Sequence, residues 1–112
     1  MIVRTLNEMV GGWIVGNFEP SCLKTTACEV ACKHYEAGAE ELAHVHRIAT
    51  EVTLIAAGRV SMNGRTFSAG DIILLEPGEA TDFQALEKTT TVVVKLPSVM
   101  SDKYPVAAGA ER

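Results

Sequence analysis

Two histidines and a glutamate are spaced as metal-binding groups on neighbouring strands would be. His44 and His46 are separated by one residue, and Glu51 follows five positions later. Because alternate residues of a strand point to the same side, both imidazoles face one space, and Glu51 can return toward it from the next strand. Imidazole and carboxylate groups bind borderline divalent metals. The segment therefore predicts a three-ligand metal site at His44, His46 and Glu51.

A site with three protein ligands leaves positions open for water and substrate. Non-haem Fe(II) oxygenases use two histidines and one carboxylate in this way, and catalytic zinc takes water as its fourth ligand. The sequence does not choose among Fe, Mn, Ni and Zn. The alternative is a polar pocket in which the histidines are hydrogen-bonded and hold no ion, although two histidines beside a glutamate are costly to bury with nothing bound to them.

Short strands have to position these residues. Apolar-alternating or β-branched runs recur along the chain, and glycine, proline and asparagine separate them. Asn63-Gly64 predicts a type I′ hairpin, because both turn positions of that hairpin need positive φ. Many short strands with frequent turns are typical of an all-β sandwich or barrel. The predicted strands are 13–18, 28–35, 52–57, 60–62, 72–75 and 89–96.

Length and charge limit the kind of protein. At 112 residues the chain is expected to form one domain, with a barrel core at about 11–97 and a C-terminal tail at 98–112. A net charge of -4 gives no electrostatic footprint for nucleic acid or an anionic membrane, so a small molecule or a protein is the expected partner. The start of the chain lacks a signal-peptide pattern, which favours the cytoplasm. Cys22, Cys28 and Cys32 are expected to be small buried side chains.

Residues 38–58 resemble the first conserved motif of the cupin superfamily. Every defined position of that motif is present. The resemblance implies a single double-stranded β-helix, a jelly-roll barrel of two antiparallel sheets with a site in its mouth, and pairing of two copies as a homodimer. The matching positions are Gly38, His44, His46, Glu51 and Gly58.

The second motif of the family is only partly present. Gly70 and Gly78 match, but Glu76 stands at the first proline position, Thr81 at the third metal-binding histidine and Ala85 at the asparagine. Asp82 alternates to the opposite side of a regular strand and would need a bulge to help. The resemblance therefore still implies the barrel, but the absence of the third histidine lowers the expected affinity for a metal ion.

Several other polar residues, Thr81 among them, are candidates for the pocket wall. In strand 28–35 either the set that contains Lys33 and Tyr35 or the alternate set faces inward, and alternation does not say which. Lys95 would bind a ligand carboxylate or phosphate if it faced inward, but an outward charge that protects a sheet edge is the favoured interpretation. Trp13 and Phe18 could border the site, although packing against a neighbouring element or a second subunit is favoured.

These residues leave three hypotheses about function. The leading hypothesis is a small-molecule-binding cupin whose pocket is centred on His44, His46, Glu51 and Thr81 and needs only a shaped polar cavity. The second is a metal-dependent enzyme, either an oxygenase or an isomerase of a sugar or keto acid, with Glu51 as ligand or base. The third is a protein-interaction module in which the segment after Leu96 packs over the barrel or a partner.

Overall fold

Two β-sheets face each other and enclose the interior of the barrel. The computed structural model describes residues 1–106, which contain eleven strands. They are β1 (Trp13–Gly16), β2 (Leu23–Lys24), β3 (Glu29–Tyr35), β4 (Glu40–Val45), β5 (Thr50–Ala57), β6 (Arg59–Met62), β7 (Arg65–Ser68), β8 (Ile72–Leu75), β9 (Ala80–Ala85), β10 (Thr89–Leu96) and β11 (Tyr104–Pro105). One sheet has the order β2-β1-β3-β10-β5-β8, and the other has the order β11-β4-β9-β6-β7.

This architecture confirms the predicted all-β jelly-roll barrel. The Asn63-Gly64 hairpin joins β6 to β7, and its residues have φ of 50° and 75°, as a type I′ turn requires. A short 3-10 helix, Leu6–Glu8, precedes the first strand. In residues 1–106 there is no helix with the length and apolar character needed to cross a membrane.

The apolar core occupies one part of the barrel and leaves the other part to polar side chains. Ile55, Val60, Met62, Phe83 and Ala85 form a buried cluster between the two sheets. Burial of such side chains is the main favourable term in folding. The polar end of the barrel lies around the inward positions of β3, β4 and β10, where the candidate site residues stand.

Strands β4 and β9 are absent from the strands predicted by apolar patterns, although the spacing of His44 and His46 indicated a strand at these two residues. In β4 the usual alternation is inverted, because Leu42 is 83% exposed while Glu41 and His44 line the interior. The pairing of β4 with β9 also shifts in register between Glu41 and His44, which marks a bulge. Because β4 places polar side chains inside and leucine outside, it lacks the alternation of buried apolar and exposed polar residues from which a strand is predicted.

Residues 98–106 return to the barrel. Tyr104 and Pro105 pair with Val45 and His44 of β4, and the Val106 N–H donates to the Ala43 carbonyl. The Arg47 guanidinium lies 3.9 Å from the Tyr104 ring centroid and covers the ring. This return segment, residues 98–106, therefore forms one wall of the site, while the rest of the predicted tail, residues 107–112, lies outside the described residues.

The cysteines are less buried than the sequence suggested. All three are free, but Cys22 is exposed and Cys28 and Cys32 are only half-buried. The expectation of small buried side chains is therefore wrong for Cys22. Cys32 lies on the outward alternation of β3, which explains its partial exposure, and Cys28 immediately precedes the strand.

Candidate functional site

A cavity of about 380 Å³ opens at the mouth of the barrel between the two sheets and the return segment. This volume lies within the range of small-molecule pockets. Its wall combines aromatic side chains with acidic and basic ones. The lining residues are Val10, Trp13, Phe18, Glu19, Pro20, Glu29, Lys33, Glu41, His44, His46, Glu51, Lys95 and Lys103.

The structure decides which face of strand β3 points inward. Glu29 and Ala31 are buried, and Lys33 and Tyr35 line the interior cavities. The alternate residues of the strand therefore face outward. Lys33 and Tyr35, which were candidates for the pocket wall, therefore lie on the inward face. Glu29 lies on the same face, although no sequence pattern selected it.

His44 and His46 present the same ring atom to the cavity. His44 Nδ1 donates to the Leu42 carbonyl at 2.9 Å, and His46 Nδ1 donates to the Asp102 carbonyl. Because a carbonyl only accepts, both Nδ1 atoms carry the proton and both Nε2 atoms face the remaining space. The two rings are edge to face, with centroids 5.3 Å apart.

Glu51 and His46 form an acid–base pair. His46 Nε2 lies 3.4 Å from Glu51 Oε1, and both side chains are largely buried. The hydrogen bond to Glu51 raises the pKa of His46. Burial opposes the ionisation of Glu51, but the hydrogen bond and charge of His46, together with the charge of Lys95, outweigh it and lower the pKa of Glu51. Burial lowers the pKa of His44, which has no such partner.

This arrangement does not form the metal centre expected from the sequence. In the part of the chain that the structure describes, no group of three His, Cys, Asp or Glu side chains is placed to hold a metal ion. Glu51 and His46 engage each other, and Thr81, at the place of the third histidine, donates its hydroxyl to the Asp82 carbonyl at 2.7 Å. The three predicted ligands would have to move before they could share an ion.

Lys95 faces into the cavity. The expectation that it protects a sheet edge is wrong, because β10 lies between β3 and β5 in the middle of its sheet. Lys95 Nζ is 3.3 Å from Glu29 Oε1, and the Ser98 hydroxyl donates to Glu29 Oε2 at 2.7 Å. The lysine is therefore held by a buried carboxylate that is itself fixed by the return segment.

A second basic group enters the cavity from β3. Lys33 Nζ is 3.5 Å from Glu41 Oε2, and the Tyr35 hydroxyl donates to the same oxygen at 2.8 Å. Burial would raise the pKa of Glu41, but Lys33 and Tyr35 outweigh it, so that this pKa is lowered. Burial and the nearby Glu41 charge raise the pKa of Tyr35, which therefore keeps its proton.

The ring of Trp13 lies close to the ammonium groups of both lysines. Lys95 Nζ lies 4.8 Å and Lys33 Nζ lies 5.1 Å from the centroid of the Trp13 ring, within the range of a cation–π contact. Trp13 and Phe18 pack edge to face with ring centroids 6.4 Å apart. Both aromatic side chains line the cavity, and the favoured expectation that they pack against another element or subunit does not describe this position.

Thr81 lies below the histidines. It is 4% exposed, and its backbone pairs with that of His44 in the β4–β9 register. Asp82 faces outward, as its alternation predicts, and accepts a hydrogen bond from the Asn63 N–H at 2.8 Å. Thr81 is therefore part of the barrel interior, and Asp82 takes no part in the cavity.

Comparison with known proteins supports the fold. No protein family model and no curated protein matches the sequence. Among solved structures, an uncharacterised protein with a double-stranded β-helix domain from Klebsiella pneumoniae is 26% identical, with a TM-score of 0.62 over 66% of each chain. KdgF from Halomonas sp. is 21% identical, with a TM-score of 0.61 over 67% of this chain and 74% of that one.

A further similar structure belongs to a protein described as a sugar phosphate isomerase of the cupin superfamily, from Silicibacter pomeroyi. It is 20% identical, with a TM-score of 0.59, and the match covers 64% of this chain and about half, 52%, of that one. The chain therefore shares the double-stranded β-helix fold of these proteins, several of which are described as cupins or RmlC-like proteins.

Proposed function

We propose that this protein binds a small hydroxylated acid, of the sugar acid or sugar phosphate class, in the mouth of its barrel. One observation carries the proposal: two inward-facing lysines from different strands meet over one tryptophan inside a cavity of ligand size. Ammonium groups bind carboxylate and phosphate oxygens through charge-assisted hydrogen bonds. An anionic group of the ligand would therefore lie near Lys33 and Lys95.

The ion pairs of the cavity favour a ligand that also carries hydroxyl groups. The distances in the pairs Lys33–Glu41, Lys95–Glu29 and His46–Glu51 are 3.5, 3.3 and 3.4 Å. Direct charge-assisted hydrogen bonds are shorter, about 2.7–2.9 Å, so these pairs are loose. A ligand hydroxyl that approaches such a pair from the cavity can contact both partners, because it accepts from the base and donates to the carboxylate.

The comparisons are consistent with this class of ligand. A structural neighbour described as a sugar phosphate isomerase has the same kind of barrel. At 20% identity the likeness concerns the fold, so that it supports the proposal only as a precedent for this chemistry in such a cavity. The proposal for this chain rests on its own lysines, glutamates and histidines.

A divalent metal ion, Fe, Mn, Ni or Zn, held by His44, His46 and Glu51 is the second candidate. The hydrogen bonds from both Nδ1 atoms to carbonyls favour it, because they leave both Nε2 atoms for a ligand and fix the orientation of the rings. The His46–Glu51 pair would have to separate first. Elemental analysis after dialysis against each metal tests this candidate, and a content well below one ion per chain in all four cases would exclude such a site.

Calorimetric titration tests the binding proposal. The probes are D-gluconate, D-glucuronate, D-galacturonate, D-fructose 6-phosphate and D-ribose 5-phosphate, with the uncharged polyol D-glucitol for comparison. At least one acid should bind more tightly than D-glucitol, and Lys95→Met should weaken it about tenfold. Lys88→Met, which removes an exposed lysine outside the cavity, is the matched control and should change nothing. Equal or absent binding of all six compounds would refute the proposal.

A further inference from the structure

A second, smaller cavity lies deeper in the barrel. Its volume is about 40 Å³, and it shares Trp13, Lys33, Glu41, His44 and Glu51 with the mouth cavity. The deeper wall is formed by residues that do not reach the mouth. They are Tyr35, Thr53, Met62, Thr81, Phe83, Thr91 and Val93.

Thr91 has an unusual position in this wall. Its side chain is 1% exposed, and its Oγ1 makes no hydrogen bond of good geometry among residues 1–106, although the Tyr35 hydroxyl lies close to it. The other hydroxyl groups of the wall are engaged: Thr81 donates to Asp82 O and Tyr35 donates to Glu41. A buried hydroxyl without a partner is destabilising, and such groups are uncommon in folded proteins.

The size of the cavity limits which hydrogen-bond partners can reach the Thr91 hydroxyl. About 10–15 Å³ of accessible space is enough to hold one water molecule, so 40 Å³ admits a hydroxyl group or a few water molecules. Thr53 Oγ1 and the Glu51 carboxylate, 3.4 Å apart, lie on the same wall and offer further polar contacts. The deep cavity, about one tenth of the volume of the mouth cavity, therefore suits a small polar group such as one hydroxyl rather than a whole sugar ring.

We propose that this floor, formed by Thr53, Thr81 and Thr91, is a subsite for one terminal hydroxyl group of the ligand. The inference rests on the proposed function, since it assumes a hydroxylated ligand in the mouth. With the acid group near Lys33 and Lys95 and one hydroxyl at Thr91, the ligand would be held at both ends. The floor would then discriminate against analogues that lack this hydroxyl, because they leave Thr91 Oγ1 unpaired.

Thr91→Val tests the subsite, because it removes the hydroxyl group and keeps the shape of the side chain. The thermal midpoint of the free protein should stay the same or rise, since an unpaired buried hydroxyl is lost. The matched control is Thr89→Val, two residues earlier on the same face of β10. Thr89 Oγ1 donates to the Glu87 carbonyl at 2.8 Å, so this variant should lower the midpoint by several degrees.

Ligand affinity decides the question. Thr91→Val should weaken the most tightly bound acid of the calorimetric panel about threefold to tenfold, the value of one neutral hydrogen bond. An unchanged affinity would overturn the subsite, whatever happens to the midpoint, and a lowered midpoint with unchanged affinity would identify Thr91 as the partner of a structural water.

Ethylene glycol separates failure of the subsite from failure of the proposed function. In a methyl NMR titration of the wild type, this diol should shift the Thr53 and Thr81 methyl resonances, and Thr91→Val should abolish the shifts. If no sugar acid binds but these shifts appear, the proposed function fails and the subsite stands. If an acid binds without moving the threonine methyls, the subsite fails alone; if neither probe has an effect, both fail.

Discussion

At the scale of single residues, the cavity depends on side chains whose direction the sequence left undecided. Lys33 and Tyr35 were candidates, but strand alternation gave two equally acceptable faces. Lys95 was assigned to an edge because it follows a β-branched run near the end of the barrel, yet its strand is central. Glu29 was not selected because a single glutamate has no spacing signal. Only its buried contacts with Lys95 and Ser98 show its place.

Glu29→Gln should strengthen the binding of an anionic probe. The change removes the carboxylate that now competes for Lys95, while the glutamine carbonyl can still accept the Ser98 hydroxyl. We expect D-gluconate or the tightest acid of the panel to bind severalfold more tightly by calorimetry. Glu36→Gln, which removes an exposed carboxylate outside the cavity, is the control and should have little effect. Weaker binding in Glu29→Gln would show that the ion pair itself contributes to the ligand site.

At the scale of elements, the return segment holds the site in place from one side. The Asp102 carboxylate accepts hydrogen bonds from the backbone N–H groups of Arg47, Ile48 and Ala49, the loop that follows His46. The Asp102 carbonyl accepts from His46 Nδ1. One residue of the segment therefore fixes both the loop and the orientation of an imidazole, which no local pattern near residue 102 predicted.

Asp102→Ala should destabilise the protein by about 1–3 kcal/mol at neutral pH, because three backbone N–H groups, among them the buried one of Ala49, lose a charged acceptor. Burial opposes the ionisation of Asp102, but its backbone hydrogen bonds outweigh this and lower its pKa in the folded state. A lowered folded pKa stabilises the protein above the unfolded value of about 4, and this stability is lost as the pH falls through the folded pKa. The difference between wild type and variant in urea unfolding should therefore shrink at acidic pH. A difference that stays constant down to pH 3 would contradict this account.

Two glycines that follow strands allow the cost of backbone strain to be measured apart from the cost of steric contact. Gly58 and Gly70 both have φ of 95°, but a Cβ at Gly58 would lie 2.5 Å from the Lys88 carbonyl oxygen, while a Cβ at Gly70 would meet open space. Gly70→Ala should cost about 1 kcal/mol from the positive φ alone, and Gly58→Ala should cost clearly more. Urea unfolding of both variants checks this. Equal losses would mean that the backbone around Gly58 moves freely.

Much of the barrel could be predicted from the sequence, and the site only in part. The hairpin and the apolar strands followed from local rules, since Asn63-Gly64 and the β-branched runs act within a few residues. His44, His46 and Glu51 were correctly expected to share one space. The fixing of His46 by Asp102 joins residues that are 56 positions apart in the chain, and spacing carries no information on such contacts.

At the scale of the whole molecule, one face of the six-stranded sheet is apolar from edge to edge. The outward residues of its strands align in register, and no charged side chain interrupts two of their rows. Leu23, Ile72 and Leu74 are 60%, 69% and 54% exposed. One row contains Leu23, Val15, Val30, Val94, Val52 and Leu74, and the next contains Cys32, Val92, Leu54 and Ile72. Contiguous apolar surfaces of this kind mark interfaces between proteins.

We expect this apolar face to pair with the same face of a second copy. A two-fold axis would place the two rows against their equivalents, and rows without charged side chains offer no specific contact to a charged partner. Light scattering after size exclusion should show a dimer, and Leu54→Lys should convert it to a monomer. Leu42→Lys, an equally apolar and more exposed position on the other sheet, is the control and should remain dimeric. A wild-type monomer at micromolar concentration would refute the homodimer.

The central claim is that the mouth of the barrel binds a hydroxylated acid between Lys33 and Lys95. A crystal structure of the protein grown with a saturating concentration of the acid that binds most tightly in the calorimetric panel tests it most directly. We expect its carboxylate or phosphate group within hydrogen-bond distance of one or both lysine Nζ atoms, with a terminal hydroxyl near Thr91 Oγ1. An acid bound outside the cavity, or a cavity that holds no acid while both lysines keep their pairs with Glu41 and Glu29, would contradict it.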